Sequence, residues 1–257
     1  LHQRSVDHLV YGRHVILQEA QQLMADLEAR GIGLTTSWDA GYPVRLTAGL
    51  ENPPPLLYHR GDRTMLSGPT AAVVSSAGTS PQRLAAALAA AHALISAGFT
   101  MVTSRYLHVY TLSRRACREA GVPCVLALDR GFLAEEEESA ASRHEDSPEF
   151  FGEQDAAGAA RDLELSVFRP RDSWIEHNSA RRDQLVFALS DVVVAVELRP
   201  GGKTEREIRR GLRRGQRIML AVDATAGEEA SVRRLLDAGA APFDPAGLPE
   251  SLLNALH

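Results

Sequence analysis

Cysteine is almost missing from this sequence: Cys117 and Cys124 are the two among 257 residues. Two thiols cannot build a disulfide framework, so a secreted scaffold is excluded and the cytoplasm is the expected compartment. Both are expected to pack in the core, which leaves thiol catalysis unsupported. Long apolar runs are missing too. None approaches the roughly 20 residues that cross a bilayer, and no leader pattern follows Leu1, so no membrane partner is expected. The nine histidines show no metal spacing; His8 and His14, six apart, are as close as any two come. Neither Gly-x-Ser-x-Gly nor His-Glu-x-x-His occurs. Serine and metal hydrolysis therefore have no candidate residues, and no cofactor or metal is expected. An excess of positive charge is also lacking. The formal net charge of −5 excludes a whole-surface nucleic-acid binder but leaves room for a local basic patch.

What is present is an ordinary globular balance, 44% hydrophobic and 24% charged. From His8 to Arg30, Ile16, Ala20, Leu23 and Leu27 recur at helical spacing, and Gly31 is a fitting stop. Two proline clusters follow, at Pro43 and Pro53-Pro54-Pro55, and exclude a long helix there. From Thr70 the pattern becomes strand–helix alternation. Strands are expected at Ala71–Val74, Thr100–Thr103, Pro123–Leu128, Leu163–Phe168, Asp191–Glu197 and Arg217–Val222, and a short one at Ala241–Phe243. Helices are expected after Ser80-Pro81, over Tyr110–Ala120, around Val232–Leu236 and from Pro249. The expectation is an α/β fold: a Rossmann-like doubly wound parallel sheet over residues 67–257, with a small N-terminal helical cap over residues 1–66. The stretch from Asp129 to Arg161 breaks the rhythm. Its Glu135–Glu138 run is expected as a solvated loop or helix face.

Anion-binding candidates fall at the ends of these strands. Val192–Val196 runs into Glu197, then Pro200-Gly201-Gly202, then a helix opening at Lys203-Thr204. A strand, a glycine turn and a helix N-terminus can aim backbone N–H groups at a phosphate, with Lys203 and Thr204 adding a cation and a hydroxyl. The following helix carries Arg206, Arg209, Arg210, Arg213, Arg214 and Arg217 at spacings that share one face. Its partner is expected to be nucleic acid or the chain's own Glu135–Glu138. Ser75, Ser76, Gly78 and Thr79 occupy the first strand-to-helix turn, a second phosphate candidate or a plain helix cap. Arg181 and Arg182 precede the valine strand by one helix, placed to reach the same edge or to pair with Asp183 and Asp191. Trp174 is a candidate base-stacking platform and Trp38 a packing anchor.

Several stretches resemble a known family. Tyr42-Pro43-Val44-Arg45-Leu46 and Asn52-Pro53-Pro54-Pro55-Leu56-Leu57-Tyr58-His59-Arg60-Gly61-Asp62 are similar to the YPxxL and dpPpvLyxrGd segments of the DNA-processing protein A (Smf) family. Arg182-Asp183-Gln184 with Leu189-Ser190-Asp191 and the valine run resembles its RNRIIAGLSDxvvVvE. Leu235-Leu236-Asp237-Ala238-Gly239-Ala240 resembles its LIxxGA. The resemblance implies a Rossmann-like core that binds single-stranded DNA, without catalysis, in DNA uptake and recombination, with a recombinase partner and a homodimer as candidates. The family's GSR loop falls on Ser75-Ser76-Ala77, and its SGxARGID loop falls on the segment from Ser104-Arg105 to Thr111. RNR has become Arg182-Asp183-Gln184, so a divergent member is expected. The optional C-terminal winged-helix module is not expected before His257. Locally, Pro200 to Glu207 is also similar to the PGGxGTxxE of lonely-guy phosphoribohydrolases, one residue short before Thr204. That second resemblance implies a nucleotide ligand, with Glu207 or Glu197 as acid/base.

Overall fold

In the computed structural model, which describes residues 2–76, 80–105, 107–142, 162–221 and 229–244, the elements run in this order. They are α1 (His2–Ala29), β1 (Gly33–Thr36), α2 (Val44–Gly49), β2 (Leu56–Arg60), a 3-10 turn at Arg63–Leu66, β3 (Thr70–Ser75), α3 (Pro81–Ser96) and β4 (Thr100–Ser104). Then come α4 (His108–Glu119), β5 (Val125–Ala127), α5 (Phe132–Ser142), β6 (Leu163–Ser166), α6 (Glu176–Leu189), β7 (Val192–Glu197), α7 (Lys203–Arg213), β8 (Arg217–Ala221), α8 (Glu229–Asp237) and β9 (Ala241–Phe243).

The valine run explains the centre. Val192, Val193, Val194 and Val196 are buried on both faces of β7. Stiff β-branched side chains suit a strand covered on both sides. Each such side chain contributes about 1.5–3 kcal/mol on burial. Strand β7 lies between β3 and β8 in the order β1-β2-β6-β5-β4-β3-β7-β8-β9. From β6 to β9 all neighbours are parallel. The chain builds outward from β3 through β4, β5 and β6, then returns to the other side of β3 for β7, β8 and β9. The order therefore reverses between β3 and β7. Ligand crevices of open α/β sheets lie at such a point, beyond the strand C-terminal ends.

The expected doubly wound architecture is present, with two strands that the sequence did not announce. Strands β1 and β2 pair antiparallel, and β2 pairs antiparallel with β6. The N-terminal segment is thus helical in α1 and α2 but also lengthens the sheet. These strands are short and bounded by turns and prolines, so neither shows a readable alternation. Arg45 of α2 fastens the segment to the core. Its Nε and Nη2 donate to Asp191 at 2.9 and 2.7 Å, and Nη2 also reaches the Gly68 carbonyl at 2.9 Å. Beneath α1 a smaller apolar cluster joins Leu27, Ile32, Tyr58, Leu128, Phe132 and Leu133. The acidic run is not a solvated loop at its start: Glu135 is buried in α5. The final helix expected from Pro249, and most of the stretch from Asp129 to Arg161, lie outside the described residues.

Candidate nucleic-acid interface

The glycine turn forms where expected. Gly201 takes φ +70°, a left-handed conformation that a residue with a Cβ enters at a cost, and the Gly202 N–H donates to the Arg199 carbonyl at 2.9 Å. The cradle, however, is filled from within. The Gly201 N–H donates to the Glu205 carboxylate at 2.6 Å. Glu205 is 3% exposed and also accepts from Arg209 at 2.7 Å and from the Ser231 hydroxyl at 2.8 Å. Burial pushes its carboxyl up; the Gly201 N–H, Arg209 and Ser231 outweigh that and hold it below the usual glutamate range. A glutamate in the first turn reaching back to an amide just before the helix is a capping arrangement. So Gly201 and Gly202 shape the turn, and the Gly201 amide is spent on the protein's own carboxylate.

The first strand-to-helix loop is closed in the same way. The Glu197 carboxylate accepts from the Ser80 N–H, at the start of α3, at 3.0 Å. Ser76 donates its N–H to the Glu197 carbonyl, and its hydroxyl accepts from the Arg199 N–H at 2.7 Å. Ser76 therefore ties two loops together. Gly78 and Thr79 lie outside the described residues.

Three further sequence candidates are structural. The Ser104 hydroxyl donates to the Ala127 carbonyl at 2.6 Å and is buried. Arg105 reaches Glu135 at 2.6 Å and Glu164 at 2.5 Å. Arg182, 2% exposed, reaches Asp129 at 3.2 Å and Asp183 at 2.9 Å and lies 5.2 Å from the centroid of the Tyr110 ring. Arg130 joins Asp129 and Glu135 at 3.0 and 3.3 Å. Buried charges persist only when paired; these carboxylates hold Arg130 and Arg182 in the interior and turn Arg105 inward, partly exposed. The same pairs correct the expected role of the acidic run. Glu135 is matched by Arg105 and Arg130, and Glu136 by Arg60 and Arg30, not by the arginine helix. Arg181 is exposed on α6 outside the cleft described next.

What stays open is a cleft of about 200 Å³ at the sheet's switch point, between α6, α7, α4 and the end of β3. Ser75, Lys203, Thr204, Arg206 and Arg210 line it, as does Glu207. Asp183, Gln184 and Tyr110 line it too, and sequence reasoning gave them no binding role. Their adjacency arises from α4 and α6 folding onto α7, which no local pattern reveals. Thr204 donates to the Ser75 carbonyl at 3.4 Å, joining the two loops across the cleft. Glu207 is paired with Arg210.

From the cleft rim outward, α7 shows a cationic face. Lys203, Arg206, Arg210, Arg213 and Arg214 are exposed, with Arg217 just beyond, while Ile208 is buried and Leu212 packs on the core. Arg209 leaves the row, drawn inward by Glu205. Arg214 is held below the usual arginine range, first by burial and then by the charges of Arg210 and Arg213, against the pull of Glu207. Lys203 Nζ lies 3.9 Å from Glu176. That contact sets the first turn of α6, with exposed Trp174 and Ile175 just before it, beside the α7 row.

Known structures share this architecture. DNA processing protein A from Streptococcus pneumoniae superposes with a TM-score of 0.67 at 19% identity, over 85% of this chain and 74% of that one. DNA processing protein A from Helicobacter pylori, described for its single-stranded DNA binding mode, superposes with a TM-score of 0.64 at 18% identity, over 88% of this chain and 97% of that one. At such identities the likeness establishes the fold. No curated protein matches the chain. The family model of DNA recombination-mediator protein A matches residues 33–247, and this protein belongs to that family.

Proposed function

We propose that this protein binds single-stranded DNA without catalysis, holding phosphates along the exposed face of α7 and at the rim of the cleft beside it. One observation carries the reading: Lys203, Arg206, Arg210, Arg213 and Arg214 line up on an uncovered face while Glu205 turns inward. Like charges three and four residues apart destabilise a helix, and a polyanion relieves that repulsion. The family's DNA-processing character supports the same ligand. Trp174, 47% exposed and two residues before Glu176, which Lys203 approaches, gives a base a stacking surface at the head of α6. The wider setting is part of this proposal: cytoplasmic DNA uptake and recombination, a recombinase partner, and a DNA-holding unit over residues 67–257 to which residues 1–66 are appended. The nucleotide-hydrolase reading loses its acids, since Glu197 is engaged by the Ser80 N–H and Glu207 by Arg210.

Binding of labelled oligo-dT across a salt series tests the proposal. Affinity is expected to fall as salt rises, with a log–log slope of about −0.7 per phosphate contact for a single strand. Arg210→Glu with Arg213→Glu should abolish measurable binding. Absence of binding at low salt, or an affinity unchanged in the double variant, overturns it. Competition by AMP, or base release from AMP, would favour the hydrolase instead.

A further inference from the structure

The cleft between α6 and α7 is not uniformly cationic. Its rim carries Lys203, Arg206 and Arg210, but its interior carries Asp183 against the Tyr110 hydroxyl, beside buried Val74 and Phe187. A carboxylate there repels a phosphate, so phosphates belong at the rim. What suits the interior is a flat, partly apolar group with hydrogen-bond donors on its edge. The volume, about 200 Å³, lies below the roughly 300–1,000 Å³ of whole small-molecule sites. One base fits, with its sugar and phosphates outside.

The polar groups inside are pre-positioned. Asp183 Oδ1 accepts from the Tyr110 hydroxyl at 2.9 Å and from Arg182 Nε at 2.9 Å. Two fixed donors on one oxygen lock the carboxylate plane. The other oxygen, Oδ2, has no hydrogen-bond partner among the described residues, and neither has the side-chain amide of Gln184 one residue on. An ionised carboxylate oxygen accepts along two directions, and a glutamine amide donates. Among DNA bases, guanine places two adjacent donors, N1–H and the N2 amino group, beside the acceptor O6. Thymine sets its one donor between two carbonyl oxygens, which a carboxylate repels. Adenine and cytosine offer a single amino group beside a ring acceptor. Single-stranded bases are read on this edge when they are splayed out.

We propose, resting on the DNA-binding reading above, that this cleft selects a guanine. Asp183 accepts from N1–H and the N2 amino group, Gln184 donates to O6, and Lys203, Arg206 and Arg210 take the flanking phosphates. Asp183 is 28% exposed at its side chain, accessible from the cleft yet held by Tyr110 and Arg182.

Three short oligo-dT strands test this: one plain, one with a single central deoxyguanosine and one with deoxyinosine, which lacks the N2 amino group. The guanine strand is expected to bind about tenfold more tightly than plain oligo-dT, with the inosine strand between them. Asp183→Asn should bring all three together at the plain oligo-dT affinity. Tyr110→Phe removes one of the two donors that fix Oδ1, so it should narrow the preference without abolishing it. Gln184→Leu should narrow the preference and serves where Asp183→Asn does not fold. Equal affinity for all three strands in the wild type, or a preference that survives Asp183→Asn, overturns the guanine assignment. Failure of every strand to bind at low salt overturns the DNA-binding reading itself.

Discussion

Arg105 and Glu205 show how one side chain changes meaning once its neighbours are known. In the sequence Arg105 follows a strand end and invites a phosphate. In the structure it bridges Glu135 and Glu164. Arg105→Ala would leave Glu135 to Arg130 and Glu164 to Arg60, one cation each, a change that costs about 1–3 kcal/mol. Urea denaturation should show that loss, while the folded fraction binds oligo-dT with unchanged affinity; weakened binding by folded protein would return Arg105 to the interface. Glu205 is the converse case. The sequence makes the strand, the glycine turn and the helix start legible, because valine burial, positive φ and capping are local rules. It hides which anion satisfies the turn. A buried glutamate, Arg209 and Ser231 meet there only after α7 and α8 have packed.

At the scale of the element, α7 was the most legible part of the candidate interface. Arginines at helical spacing opposite Ile208 and Leu212 announce an exposed cationic face, and the helix has one. Arg209 was the exception, since a carboxylate four residues earlier outcompetes solvent for it. The helix also carries Arg206 in its first turn, where the positive end of the dipole disfavours a cation. Arg206→Gln should therefore raise stability by a few tenths of a kcal/mol. The lost contact from Arg206 Nη1 to the Gly201 carbonyl offsets part of the gain. The same substitution should weaken DNA binding and flatten its salt dependence by about one phosphate contact. A thermal melt beside a salt titration reads both, and a lower Tm would refute the charge-crowding account. By contrast β1 and β2 were illegible: the five-residue β2 takes its identity from the β6 edge it pairs with, and the four-residue β1 from β2.

For the whole molecule, the question is what holds the N-terminal segment to the sheet. The Arg45–Asp191 pair does so at the junction of α6 and β7, with the Thr70 N–H also donating to Asp191 at 2.9 Å. Burial pushes the Asp191 carboxyl up; the hydrogen bonds from Arg45 and Thr70 and the Arg45 charge outweigh it, so its pKa lies below the usual aspartate range. A depressed folded pKa means that the unfolded chain takes up the proton first. The pair's contribution is complete above about pH 4, the unfolded range, and disappears as pH falls through the lower folded value. Asp191→Asn should accordingly destabilise the protein near neutral pH, with the gap to wild type closing under acid. A gap that stays constant down to pH 2 would separate this pair from the acid response. The side chains are partly exposed, so solvent screening keeps the effect small.

The self-filled glycine turn has a last consequence, for motion along the strand. A rigid nest of amides would clasp one phosphate at a fixed place. Here the Gly201 amide is already committed to Glu205, so in the proposed binding mode attraction comes from lysine and arginine tips on flexible stems. Such tips hold any phosphate that drifts past, at almost any spacing. If α7 holds DNA as proposed, a bound strand is free to shuttle along it in either direction, and a base seated in the neighbouring cleft brings it to rest.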